Sequence, residues 1–186
     1  MKKKFASSVF EFASILLSAI LAVSVIFILG IRLTTVDGRS MEPTLQDGDK
    51  LITVSDAGEY EHGDIVIVVQ PNEPPYNEPL IKRVIAKEGQ WVDVRYDEGL
   101  VYVGDTKDTM VPLDEPYTAE LTNQKPFEDL NEYPIQIPED EYFCMGDNRN
   151  HSTDSRSYKV GSVQEGYILG KAVCRLIPFG DFNIYE

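Results

Sequence analysis

Cysteine, histidine and tryptophan are nearly absent from this chain: two, two and one among 186 residues. Two cysteines cannot build a disulfide-rich scaffold, and no CxxC or other zinc-type spacing occurs. Neither a metal nor an organic cofactor is indicated. Cys144 and Cys174 fall in expected strands, and both two buried thiols and a single bridge stay open, because sequence does not supply the Cα geometry. Basic residues are scarce as well, 17 against 31 acids, for a net charge of −14. That balance argues against nucleic acid as a partner. No internal repeat is present, and no amphipathic helix is expected outside one apolar run.

That run, Phe12 to Ile31, is twenty residues without a charge. As a helix rising ~1.5 Å per residue it would cover about 30 Å, the thickness of a bilayer core. Lys2, Lys3 and Lys4 precede it and Arg32 alone follows closely. The lysine cluster favours a cytoplasmic segment over 1–11 and an extracytoplasmic domain over 32–186. A cleaved signal peptide would have an apolar core of only ~7–15 residues and a small-x-small cleavage site, and Leu29-Gly30-Ile31-Arg32-Leu33 offers none. The length suits one such anchor plus one compact domain. Beyond the anchor, thirty acids face fourteen Lys and Arg, a net −16. That charge serves solubility, and it would also attract a basic partner segment.

The rest reads as strands. Lys50–Val54, Asp64–Val69 and Pro79–Lys87 are short β-branched runs bounded by Gly, Asp or Pro. Trp91–Tyr96 alternates with period two, and Asp97-Glu98-Gly99 is a hairpin signal before Leu100–Val103. Glu141–Met145 and Tyr167–Ile177 are later strands. The expected fold is mainly β: an N-terminal transmembrane helix, then an antiparallel β-sheet domain. Residues 105–134 carry Pro112, Pro116, Pro126 and Pro134 with dense acids, and read as an inserted lobe outside the core. A shorter Pro-rich loop over 72–79 precedes the Lys82 strand.

Three segments carry candidate chemistry. Ser40 follows Asp37-Gly38 and precedes Pro43, a tight turn in which the Ser40 amide can face the same space as its hydroxyl. Such an amide is a natural oxyanion donor. Taken alone, a serine in a Gly/Pro turn usually only caps or solvates. Lys82 shares its strand face with Leu80, Val84 and Ala86, an apolar setting that would desolvate it and lower its pKa, as a general base requires. A strand lysine otherwise points to solvent. Arg83 falls on the opposite face, where a carboxylate could hold it. Finally, residues 146–156 (GDNRNHSTDSR) follow a strand and offer two Asp and two Arg for bidentate pairing, and hydroxyls to orient an amine. An Asx-rich surface loop is the plainer alternative.

In this order, after an N-terminal anchor, the segments resemble the bacterial type I signal peptidases. Ser40-Met41 with Pro43-Thr44-Leu45 matches that family's nucleophile box, and Gly63-Asp64-Ile65-Val66 its next box. Lys82-Arg83-Val84 matches the general-base box. Gly146-Asp147-Asn148-Arg149 with Ser152, Asp154, Ser155 and Arg156 matches the last. The resemblance implies that Ser40 attacks the scissile carbonyl, that Lys82 is general base and then acid, and that Ser152 orients Lys82. It implies Asp147–Arg83 and Asp154–Arg156 pairs as scaffolding. The substrates implied are signal-peptide-bearing precursors at a membrane, cleaved through an acyl-enzyme. Small substrate residues at −1 and −3 would sit in shallow pockets near Met41 and Ile81. Some members carry a second oxyanion donor, a serine two residues before the nucleophile. Here that position is Gly38, leaving a backbone amide or water to substitute. The ER-type branch uses histidine as base, whereas this chain has Lys82.

Two other classes compete. A self-cleaving Ser-Lys repressor needs a DNA-binding domain and a cytoplasmic location, which the apolar span and the acidity oppose. A non-enzymatic anchored β module would make Ser40 and Lys82 incidental, and loss of peptide cleavage in Ser40→Ala separates it from an enzyme.

Overall fold

The computed structural model describes residues 2–28, 30–55, 58–70, 78–126, 129 and 131–178, with first-helix side chains described over 10–25. Helix α1 (Lys2–Ile28) precedes eleven strands: β1 (Ile31–Thr35), β2 (Lys50–Val54), β3 (Ile65–Val68), β4 (Leu80–Lys87), β5 (Trp91–Arg95), β6 (Leu100–Gly104), β7 (Val111–Pro112), β8 (Ile135–Gln136), β9 (Glu141–Met145), β10 (Val163–Gln164) and β11 (Ile168–Ile177). Among the described residues the only other helical pieces are three short 3-10 turns. The protein is thus mainly antiparallel β, as its alternating β-branched runs require.

The strands form two sheets. The larger is ordered β1-β2-β11-β3-β4-β9-β10 and the smaller β7-β6-β5-β8, every pair antiparallel. Strand β3 is buried along its whole length. Val66 and Val68 enter one apolar cluster, with Val84 and Cys144, while Ile65 and Ile67 enter another, with Met41 and Leu45. A strand covered on both faces has no polar alternation to show. The hairpin signal at Asp97-Glu98-Gly99 closes β5 onto β6, with Gly99 at φ 73 and its amide 2.8 Å from the Arg95 carbonyl.

Several expectations need correction. Helix α1 ends at Ile28 rather than Ile31: Gly30 turns at φ 67, and Ile31 opens β1, paired with β2. Among the described residues no helix is long and apolar enough to cross a membrane. Residues 105–134 are not simply outside the core. Val111–Pro112 add a strand to the smaller sheet, Leu113 and Tyr133 pack on its apolar cluster, and Thr122 and Asp129 are buried. Period-two parity fails at Ala86, which joins Ile85 in one cluster because the β4–β9 register shifts between Val84 and Ala86. The loop over 72–79 lies mostly outside the described residues. Both cysteines are free thiols, and burial pushes that of Cys144 up to about 12.

Candidate active site

Two connections and one strand of the larger sheet meet at one place. The first, between β1 and β2, carries Ser40. Met41 and Leu45 are buried beneath it, at 1% and 2% exposure, and at about 1.5–3 kcal/mol per buried side chain they hold the turn to the sheet. The Leu45 amide closes on the Met41 carbonyl at 2.9 Å. Gly38, at φ 85, donates its amide to Asp47 Oδ1 at 2.8 Å. That amide is therefore committed, and the idea that Gly38 supplies a second oxyanion donor is corrected. The Ser40 amide makes no hydrogen bond among the described residues.

Strand β4 brings Lys82 to this turn. Lys82 is only 2% exposed, between Val66 on β3 and its own neighbours Leu80 and Val84. Its Nζ lies 2.8 Å from Ser40 Oγ and donates to the Ile81 carbonyl at 2.9 Å. Burial, the largest influence, takes the amine from 10.5 down to about 8, against the opposing pull of Asp154, Cys144 and Asp147. Arg83 points the other way, into a buried bidentate pair with Asp147: Nε to Oδ1 at 2.8 Å and Nη2 to Oδ2 at 2.6 Å. Its Nη1 donates to the Gly63 carbonyl at 2.7 Å, which gives the Gly63-Asp64 segment a place in the site.

The second connection, after β9, wraps around the pair. Asn148 donates its backbone amide to the Ser40 carbonyl and its side-chain amide to the Arg39 carbonyl, both at 3.0 Å. Asp154 accepts from Arg156 Nε at 2.8 Å and Nη2 at 2.9 Å, and from the Gly146 amide at 3.0 Å. Burial would raise the Asp154 carboxyl, but Arg156 and the Gly146 amide outweigh it and hold the group below the ordinary carboxylate range. Gly146 must be glycine for space: a Cβ there would overlap the Ser152 hydroxyl and the Ser40 carbonyl oxygen. The glycine thereby lets the Ser40 turn and the loop touch.

Ser152 is brought beside the pair but not bonded to Lys82. Its hydroxyl is buried and makes no hydrogen bond of ordinary geometry, and its effect on Asp154 is the least of those acting there. The Ile81 carbonyl occupies the lysine instead. Met41 is sealed in the core and has no surface to offer a ligand, whereas Ile81 is 8% exposed in the same cluster. Sequence reasoning missed the partner of Arg149. Its guanidinium is held by Glu115 from the smaller sheet's lobe, at 2.7 and 2.6 Å. Nothing in the Pro-rich, acidic pattern around Glu115 distinguishes it from its neighbours.

A family model described as signal peptidase, peptidase S26, matches residues 9–177. The chain belongs to this family. It is accordingly a serine endopeptidase, a hydrolase. The signal peptidase I of Bacillus amyloliquefaciens is 36% identical over 157 residues, covering 80% of this chain and 75% of that protein. The signal peptidase I of Bacillus licheniformis is 32% identical over 186 residues, covering 95% and 93%. A crystal structure of a signal peptidase I from Enterococcus faecalis V583 matches with a TM-score of 0.44 and 25% identity, over 61% of this chain and 97% of that one.

Proposed function

We propose that this peptidase removes N-terminal signal peptides from translocated precursors, with Ser40 as nucleophile and Lys82 as base. The observation that carries the reading is the 2.8 Å approach of a buried amine to a serine hydroxyl, in a site that lowers the amine to about 8. A lysine of ordinary pKa is protonated at neutral pH and takes no proton, so the burial is what makes the pair competent.

In the first half-reaction the Ser40 hydroxyl gives its proton to the Nζ lone pair as Oγ bonds to the scissile carbonyl carbon. The charge that develops on the carbonyl oxygen is met by the Ser40 amide. The Lys82 ammonium then protonates the departing amide nitrogen, the C–N bond breaks, and the mature chain leaves an acyl ester on Ser40. Water gives a proton to Lys82 as it attacks that ester, Lys82 passes the proton to the departing Ser40 Oγ, and the signal peptide is freed with the hydroxyl and the amine restored. The ammonium has one more proton to place than the amine. The unpaired hydroxyl of Ser152 is the buried acceptor at hand, so Ser152 orients the lysine once it is charged. The Arg83–Asp147 and Arg156–Asp154 pairs scaffold the two sides of this arrangement. Small residues before the scissile bond would lie against Ile81, and an extended substrate would add to a strand edge.

Membrane attachment belongs to the same proposal. Phe12, Ile15, Leu17 and Leu21 on α1 are 64–70% exposed, and nothing among the described residues covers them. A lipid surface would remove that apolar area from water, and the lysines before it would keep the N-terminus cytoplasmic. Protease added to wall-stripped cells should then digest the domain from Leu33 onward. Full protection until the cells are lysed would overturn this topology.

The precursor test compares the protein with Ser40→Ala on a signal-peptide-bearing substrate, reading the new N-terminus by mass spectrometry. Cleavage after a small residue that is lost in Ser40→Ala is the expected result, and undiminished cleavage sinks the serine mechanism. A second test follows the base. Lys82 must be neutral, so kcat/KM should climb about tenfold per pH unit below about 8 and level off above it. A flat profile from pH 6 to 10 would count against Lys82.

A further inference from the structure

Glu115 lies in the lobe of the smaller sheet, outside the segments that carry Ser40, Lys82 and Ser152, yet its carboxylate reaches the loop around them. Its side chain is 10% exposed and that of Arg149 is fully covered. The two form a fork, Arg149 Nη1 to Oε2 at 2.7 Å and Nη2 to Oε1 at 2.6 Å. The same guanidinium turns its Nε to the Gly146 carbonyl at 3.0 Å, and the Arg149 carbonyl accepts from Arg156 Nη2 at 2.6 Å. Gly146 is the residue pressed against both the Ser152 hydroxyl and the Ser40 carbonyl. Two residues along the lobe, the Tyr117 ring lies 4.0 Å from the Arg83 guanidinium carbon and 5.7 Å from that of Arg149, and its hydroxyl donates to Glu115 at 3.2 Å. One short piece of the lobe thus touches the arginine next to Lys82 and the arginine that holds Gly146.

We infer that Glu115 and Tyr117 are positioning residues for the peptidase reaction, acting through Arg149 on Gly146 and through Arg83 on β4. The inference rests on the Ser40–Lys82 reading above. A bidentate carboxylate fixes a guanidinium in direction as well as place. Without it Arg149 keeps a buried charge and no anion, so it turns toward water and releases the Gly146 carbonyl. The loop then loosens against the Ser40 turn, water reaches Lys82, and the amine returns toward its ordinary, protonated state.

A clamp that only joins the two sheets would lower stability and leave the chemistry of the folded enzyme alone. The experiment therefore reads kcat, KM and the pH profile of precursor cleavage by the full chain in detergent, well below each variant's Tm. The variants are Glu115→Ala, Glu115→Gln and Tyr117→Leu, with Ser40→Ala as the blank. Arg95→Ala breaks ion pairs with Asp93 and Glu98 in the same sheet, away from the loop, and should leave kcat and the profile unchanged. Glu115→Ala should lose at least tenfold in kcat with KM within twofold, and its half-maximal pH should move up. Glu115→Gln, which keeps the shape and one acceptor, should fall between it and the parent. Tyr117→Leu should change kcat in the same direction. A kcat within twofold and an unmoved profile in Glu115→Ala overturn the inference, whatever the Tm does. If that variant does not fold, Glu115→Gln decides by the same criteria. Retained cleavage by Ser40→Ala overturns the serine reading and this inference together. Retained cleavage by the Glu115 variants alone, with Ser40→Ala dead, overturns only the inference.

Discussion

Ser40→Ala and Lys82→Ala are each expected to lower precursor cleavage on the order of 10⁴–10⁶-fold, and the double variant to be little worse than either. On the proposed mechanism Ser40 and Lys82 act as a unit, so removing the second member has almost nothing left to remove. Lys82→Arg should be equally inactive, because a guanidinium stays protonated in a protein. Stability should move the other way in Lys82→Met. The amine titrates near 8 in the folded chain against 10.5 for an ordinary lysine, a gap of about 3 kcal/mol. Below pH 8 both folded and unfolded chains hold the proton, so the folded state carries this cost in full. Between about pH 8 and 10.5 the unfolded chain binds more protons, and stability rises with pH. An apolar side chain of similar length has no such cost. Denaturant midpoints at pH 7 should therefore rank Lys82→Met above the parent while its turnover is gone. A Lys82→Met enzyme that still cleaves would end the dyad proposal, and one no more stable than the parent would show that the lysine is better solvated than its burial implies.

Arg83→Ala is expected to destabilise the domain by about 3–5 kcal/mol, because Asp147 would be left buried without a counter-ion. For a domain of this length that corresponds to a Tm loss on the order of 10 °C. Asp147→Ala should cost a similar amount by stranding the guanidinium, whose third link, to the Gly63 carbonyl, does not neutralise it. The pair Arg83→Met with Asp147→Leu should recover most of the stability, since well-packed apolar groups replace a buried ion pair at little cost. Activity should not recover with it. Asn148 follows Asp147 directly and bonds the Ser40 and Arg39 carbonyls, so the loop's placement depends on where Asp147 is held. Melting curves and turnover numbers for the three proteins decide this. A double variant that regains both would make the ion pair dispensable to positioning. Single variants within 1 kcal/mol of the parent would mean that the pair is not buried in solution.

Much of the fold was legible because it is written in local pattern. Lys50–Val54 and Glu141–Met145 are strands with the expected bounds, and five more runs match to within a residue or two. The strands that went unrecognised, β7, β8 and β10, are two residues long, too short for any period to register. Strand β1 was obscured because its Ile31 continues the apolar run of α1, and only the turn at Gly30 separates them. The helix, the β character of the domain, the candidate nucleophile turn and the apolar setting of Lys82 all follow from neighbours a few residues apart in sequence.

What tertiary structure alone decided lies across long separations. That Lys82 Nζ meets Ser40 Oγ depends on the order β2-β11-β3-β4, in which the last strand of the chain is inserted between early ones. The commitment of the Gly38 amide to Asp47, the unpaired state of Ser152, and the sealing of Met41 are outcomes of side-chain geometry that residue type does not encode. The placement of the lobe is the clearest case. Proline and acid density in residues 105–134 speak of an irregular segment, and irregular it is, yet Glu115 and Tyr117 close on arginines 34 residues later and earlier in the chain. A charge pair of that kind has no sequence period, because it is specified by where two sheets pack, and only the packed chain shows which of many acids is the one desolvated against a guanidinium.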